Sequence, residues 1–259
     1  MVDAAEPKAA EQPSLVPPLL AAMAVAVVAT FIPAAAANWA RSSEPLGPFS
    51  WEWVNGGARA LVAVIALAII VRRRWTREAG MVGPFTWPQL RDPLTLTVII
   101  GTLIPAIGLI TTSWESIEGH LAGLWFYGWT GPFEELIFRG LLFVGLTKAW
   151  ALHANGVRLA GIVSAAIFGL LHVAPIAVII TFAVGFAMTG LFVTTRSIWI
   201  TAAAHSVYDI LANLPLDDQG VTMGDKAYGS VLALPFFIAA AFFTWQLLTD
   251  TPTIERQPD

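Results

Sequence analysis

Long apolar runs recur along this chain, and they constrain its fold more than any other feature. A membrane span needs about 20 predominantly apolar residues, and charged residues mark where a span must stop. Eight such segments are present, at approximately 17–39, 53–71, 94–114, 126–150, 159–174, 176–195, 197–214 and 228–249. Only 12% of the 259 residues are charged, whereas soluble domains carry about a quarter. The sequence therefore predicts an all-α, polytopic transmembrane helix bundle of about eight spans.

The apolar segments divide the chain into four parts. We expect a flexible N-terminal tail at 1–16, a three-span region at 17–120, a helical core at 121–215, and an acidic loop, last span and short C-terminal tail at 216–259. The N-terminal tail lacks the basic start of a cleaved signal peptide. We therefore expect the apolar run that follows the tail to be retained as a span.

Lysine and arginine residues between the spans are distributed unequally. If the N-terminus is cytoplasmic, ten of them fall on the cytoplasmic side and two on the other, which predicts that both termini are cytoplasmic. The absence of cysteine excludes disulfides, thiolate metal sites and a cysteine nucleophile. The net charge of −4 is small and spread along the loops, so it does not indicate a nucleic-acid partner.

Residues 131–140, with the sequence GPFEELIFRG, place two carboxylates and a guanidinium in apolar surroundings. A charged side chain near the bilayer centre costs about 2.5–3.5 kcal/mol, so these groups must neutralise one another or have a function. On a helix, Glu135 and Arg139 share a face, while Glu134 lies about 100° away. Pro132 suits a first helical turn, so we expect a helix to begin there, with both carboxylates at its positive end. The alternative is a buried ion pair that fixes helix packing.

The later spans carry three more titratable side chains in apolar surroundings. His205 and Asp209 are four residues apart and share a helix face, and His172 follows Phe168 by four residues on another helix. A lone histidine in such a place is more often a packing residue than a catalyst. Together with Glu134 in one cavity, however, these residues would supply a base, a second base or ligand, and an oxyanion donor.

Other intramembrane hydrolase mechanisms are not indicated. The sequence has no HExxH motif, and no second intramembrane aspartate could share a proton with Asp209. Ser164 lacks the surrounding sequence of a nucleophile elbow. Arg59, alone in the second span, is interpreted as a structural residue that snorkels to the interface or pairs with Glu52.

Three motifs, EExxxR, FxxxH and HxxxN/D, follow one another on separate hydrophobic segments. They are formed by Glu134, Glu135 and Arg139, by Phe168 and His172, and by His205 and Asp209. In this order they resemble the motifs of the CPBP family, the CAAX-protease and bacteriocin-processing intramembrane peptidases, which includes the Ras-converting CAAX endopeptidases. The resemblance covers roughly residues 120–215.

This resemblance implies an intramembrane endopeptidase that cleaves a membrane-associated peptide or protein, with CAAX-like substrates among the candidates. By analogy, Glu134 and His172 would activate water, and His205 with Asp209 would form the oxyanion hole. Glu135 and Arg139 would hold the first helix, and Phe168 would support the site. Only a protonated Asp209 could donate a hydrogen bond as asparagine would. The expected location is a bacterial cell membrane.

Several alternatives remain open from the sequence. The family is often described as metalloproteases, and Glu134, His172 and His205 could hold a zinc ion with an open position. The same polar cluster could be the relay of a proton-coupled transporter, or packing groups in a non-catalytic immunity or scaffold protein. Counting residues from the inner ends of the spans places Glu134 and His172 in the outer half of the membrane.

Overall fold

The computed structural model describes residues 14–42, 50–83, 87–103, 117–217 and 227–249, and this part of the chain is helical without a strand. The helices are α1 (Val16–Ser42), α2 (Ser50–Arg72), α3 (Trp87–Leu90), α4 (Pro93–Leu103), α5 (Ile117–Glu135), a π-helical stretch (Leu136–Phe143), α6 (Val144–Ala149), α7 (Gly156–Leu170), α8 (Pro175–Thr195), α9 (Ile198–Asp217) and α10 (Ala227–Thr249). Each of the eight predicted segments contains a helix. The predicted all-α bundle is therefore confirmed.

Three helices among the described residues are both long enough and apolar enough to cross a membrane, namely α1, α2 and α8. Helices α4 and α7, and the part of α10 at Leu234–Thr249, are shorter apolar segments. Large apolar side chains also face outward, as at Phe31 and Val173. A helical bundle with this surface is an integral membrane protein, because water would not solvate it.

Helices α1 and α2 pack against each other, and α2 packs in turn on α5. The buried face of α1 consists mainly of alanines that recur about every four residues, including Ala22, Ala26 and Ala29. Small side chains at this spacing let two helix backbones approach closely in a bilayer. On the other side of the bundle, α5 packs on α9, α7 on α8, and α10 on α4 and α8.

The central helical element runs without a break from residue 117 to 149, and the prediction that a helix begins at Pro132 is wrong. Pro132 lies inside α5, so Glu134 and Glu135 end this helix instead of opening it. Proline has no N–H to donate to the carbonyl four residues earlier, that of Gly128. The hydroxyl of Ser206 on α9 donates to that carbonyl instead, at 2.9 Å. A neighbouring helix thus supplies the missing hydrogen bond, which is how intramembrane prolines are tolerated.

The π-helical stretch follows the two glutamates directly. It contains Arg139 and is almost entirely buried. The hydroxyl of Ser164 on α7 donates to the Phe138 carbonyl at 2.8 Å, so Ser164 is engaged in packing. Irregular turns of this type often lie at functional sites.

The chain breaks where the sequence predicted, before Pro175. Helix α7 ends at Leu170, and Pro175 occupies the first turn of α8 after an extended Ala174. Four predicted parts of the chain lie outside the described residues. They are the N-terminal tail before residue 14, residues 104–114 of the third predicted segment, the acidic loop at 218–226 and the C-terminal tail.

Candidate active site

Glu135 forms the centre of a closed, fully buried network. Its Oε1 accepts hydrogen bonds from Arg139 Nη1 at 2.8 Å and from His205 Nδ1 at 2.7 Å. Arg139 also donates from Nη2 to the Gly185 carbonyl at 2.5 Å. Side-chain exposure is 0% for Glu135 and 1% for Arg139. The network therefore joins the central helical element to α8 and α9 and fixes the orientation of the His205 ring.

Glu134 lies on a different side of the same helix end and is 12% exposed. Its Oε2 is 3.5 Å from His205 Nε2, and its Oε1 is 3.7 Å from Arg59 Nη1 on α2. Asp209 Oδ2 lies 3.8 Å from the same His205 nitrogen. A carboxylate cannot donate, so His205 Nδ1 carries a hydrogen for Glu135 while Nε2 faces Glu134 and Asp209.

His172 is positioned by the end of α7. Its Nδ1 is 3.0 Å from the Phe168 carbonyl, which can only accept, so Nδ1 carries a hydrogen and Nε2 is the basic nitrogen. The Phe168 ring contacts both imidazoles, with its centroid 5.1 Å from that of His172 and 6.0 Å from that of His205. The next residue, Val173, has a φ of 62°, a strained conformation for a β-branched side chain. The backbone beside His172 is thus held in an unusual conformation.

A cavity of about 220 Å³ lies beside these groups. Glu134, His172 and Phe168 contribute to its wall, and α1 and α2 also line it, with Arg59 and Asn55 as the polar members from α2. At roughly 30 Å³ per molecule, this space holds several waters. Glu134 and His172 therefore face a common space, whereas His205 and Asp209 are connected to it through Glu134.

The sequence interpretation of Arg59 did not include its contact with Glu134. Arg59 faces Glu134 across the α2–α5 interface and donates from Nη1 to Thr130 Oγ1 at 2.6 Å. An arginine inside an apolar segment signals a functional group or a buried partner. No spacing rule identifies that partner when it lies 75 residues away, so only the helix packing reveals it.

The residues named as zinc ligands do not form a metal site. Among the described residues, no three His, Asp or Glu side chains are arranged to hold a metal ion. His205 directs Nδ1 to Glu135 and Nε2 towards two carboxylates, and His172 directs Nδ1 to the Phe168 carbonyl. This arrangement does not support a metalloprotease.

Comparison with known proteins identifies one family. Residues 116–211 match the family described as type II CAAX prenyl endopeptidase Rce1-like. This range contains all three motifs, and the resemblance noted from the sequence is confirmed. No curated protein and no solved structure matches the chain. The match supports a protease role in the membrane.

Proposed function

We propose that this chain, whose residues 116–211 belong to the Rce1-like CAAX-endopeptidase family, is an intramembrane endopeptidase that uses Glu134 to activate water. The observation that carries this proposal is the placement of Glu134 and His172 on the wall of one cavity. The adjacent Glu135 is sealed in a network of direct hydrogen bonds. Of the two motif glutamates, Glu134 is therefore the one that can meet water and substrate.

Glu134 acts as a general base in this proposal. It takes a proton from a water molecule in the cavity, with His172 Nε2 as the second basic group, and the water oxygen bonds to the scissile carbonyl carbon. The carbonyl π electrons move to the oxygen, which becomes the oxyanion. When the C–N bond breaks, the leaving nitrogen receives the proton, so the products are a carboxylic acid and an amine.

His205 and Asp209 are proposed to stabilise the oxyanion. With Nδ1 already donating to Glu135, His205 can donate from Nε2 only when both nitrogens carry hydrogens. The carboxylates of Glu134 and Glu135 lie beside this ring and complement its positive charge. A protonated Asp209 would add a second donor. Donors aimed at the developing charge typically contribute 10²–10³-fold to the rate, on the order of 3–4 kcal/mol.

We further propose eight spans in a bacterial cell membrane, with both termini cytoplasmic. The ten-to-two distribution of Lys and Arg supports this orientation. Glu134 lies 15 residues before Ala149, about 22 Å along the helix from its inner end, so the cavity would open to the non-cytoplasmic side. Since the chain has no cysteine, an Ala34→Cys variant can report this directly. An impermeant maleimide should label it from outside intact cells, and labelling only in inverted vesicles would contradict the orientation.

The decisive experiment for function is peptide hydrolysis by purified protein in H₂¹⁸O. Candidate substrates come from comparing membrane peptidomes of cells that express the wild type or Glu134→Ala. The new carboxylate should contain ¹⁸O, and Glu134→Gln should lower the rate by about 10²–10⁴-fold. A chelator should change the wild-type rate by less than about 2-fold, since no metal-mediated step is proposed. Proton flux in liposomes without cleavage would favour the transporter alternative, and zinc-restored activity would favour a metalloprotease.

A further inference from the structure

Arg59 belongs to α2, outside the matched residues 116–211, yet it contacts the proposed base. Its Nη1 lies 3.7 Å from Glu134 Oε1, while the other carboxylate oxygen of Glu134 faces His205. We propose that Arg59 is a positioning residue of the peptidase site. It fixes the Glu134 carboxylate by an electrostatic contact and forms no hydrogen bond to its oxygens. This inference rests on the proposed function and extends the site to a helix that carries none of the three motifs.

The guanidinium of Arg59 is held from several directions. Its Nε donates to Asn55 Oδ1 at 3.3 Å, and Nη1 donates to Thr130 Oγ1 at 2.6 Å. Its Cζ atom lies 4.4 Å from the ring centroid of Phe126 and 5.4 Å from that of Phe133. A planar guanidinium that is both hydrogen-bonded and stacked loses most of its freedom. A snorkelling arginine would instead extend towards the interface.

The distance between Arg59 and Glu134 distinguishes this pair from the fully buried pair of Arg139 and Glu135. Arg139 approaches Glu135 to 2.8 Å and forms a direct hydrogen bond. At 3.7 Å, Arg59 gives Glu134 an electrostatic contact but no hydrogen bond, because a donor–acceptor separation of about 3.6 Å or more is too long for one. The lone pairs of Glu134 are therefore left for the proton of a water molecule.

Thr130 and Asn55 set this distance by engaging the guanidinium themselves. Thr130 lies one helical turn before Glu134 on α5, so its hydroxyl accepts from Nη1 next to the carboxylate. The same hydroxyl donates to the Phe126 carbonyl at 3.1 Å, which fixes its direction. Without Thr130, Arg59 would be free to move onto Glu134 and occupy its oxygens.

Enzyme kinetics of three variants test this arrangement. Arg59→Met should lower kcat about 100-fold with KM changed less than about 3-fold, because the base is misplaced while substrate contacts remain. Arg59→Lys should recover part of that loss, since the charge remains but the planar fork does not. Thr130→Val should also lower kcat, about 10-fold or more. The matched control is Arg41→Met, which removes an arginine stacked on Trp51 at 4.5 Å, away from the cavity.

Thermal unfolding provides a readout that does not depend on activity. In a cycle of Arg59→Met and Glu134→Gln, the double variant should lose about 2–4 °C less than the sum of the single losses, because the two charges are partners. If the losses in unfolding temperature are additive, Arg59 and Glu134 are not coupled, and the proposed positioning role is wrong. A raised KM with unchanged kcat would show that Arg59 binds substrate, and would overturn the positioning role. If the wild type cleaves no peptide, the proposed function fails, and the cycle still decides whether Arg59 and Glu134 are coupled.

Discussion

Glu134 and Glu135 are adjacent in sequence, yet the fold gives them opposite environments. Glu135 is completely buried and receives direct hydrogen bonds from two other side chains. Glu134 borders a cavity of about 220 Å³, and its contacts with His205 and Arg59 are 3.5 and 3.7 Å long. Consecutive helical residues point about 100° apart, so a single helix end can supply both environments.

The contrast shows how one sequence motif can supply both a carboxylate that stabilises the fold and one that is available for catalysis. A buried carboxylate that accepts direct hydrogen bonds from two side chains stabilises the fold, whereas one held at a distance from its partners remains available to water. Two acidic groups whose surroundings differ in this way commonly divide structural and catalytic roles. Variants that change the surroundings of one glutamate at a time test whether the two roles are separate.

The largest effect on stability is expected at the closed network. Glu135→Gln should lower the free energy of unfolding by about 3–5 kcal/mol, because it leaves the buried Arg139 charge without its partner. Thermal unfolding in detergent micelles would measure this loss. The double variant Glu135→Gln with Arg139→Met should be less destabilised than Glu135→Gln alone. An unfolding temperature of Glu135→Gln equal to that of the wild type would remove the structural role assigned here.

Parts of this arrangement follow from sequence alone. The pairing of Glu135 with Arg139 is an i, i+4 contact, and the helix period predicts it directly. The hydrogen bond from His205 to Glu135 and the approach of Arg59 to Glu134 depend on how helices cross, which no local pattern encodes. The expectation for Pro132 failed for the same reason, because its compensating donor belongs to another helix.

A smaller effect is expected at the helix crossing beside the site. A Cβ at Gly131 would clash with the Ala202 carbonyl and with Ser206 Oγ on α9. Gly131→Ala should therefore cost about 1–3 kcal/mol and displace His205 from both glutamates. The control is Gly128→Ala, where the added methyl meets no described atom within 4 Å. If both variants unfold at the same temperature and cleave equally fast, this crossing does not position the site.

The smallest effect on stability is expected at Glu78, which lies in the connection after α2. Lys148 Nζ lies 2.5 Å from Glu78 Oε1 in a half-exposed pair. Burial acts to raise the pKa of Glu78, but the hydrogen bond and charge of Lys148 outweigh it and hold the pKa below its ordinary value. The stabilisation is therefore full above the ordinary value of about 4.3 and is lost as the pH falls through the lower folded-state value.

This pair should contribute about 0.2–1 kcal/mol at pH 7, as exposed pairs do. The difference in unfolding temperature between wild type and Lys148→Met should be small at pH 7 and should decrease as the pH falls below the ordinary pKa of a glutamate. A difference that grew on acidification would contradict the sign of this effect.

The most direct test of the division between the two glutamates is the single-turnover cleavage rate per folded molecule, measured for Glu134→Gln and Glu135→Gln side by side. We predict that Glu134→Gln unfolds at close to the wild-type temperature and cleaves about 10²–10⁴-fold more slowly. Glu135→Gln should unfold at a much lower temperature, and its remaining folded molecules should lose far less of their cleavage rate. A folded Glu134→Gln protein that cleaves at the wild-type rate would show that Glu134 is not the general base.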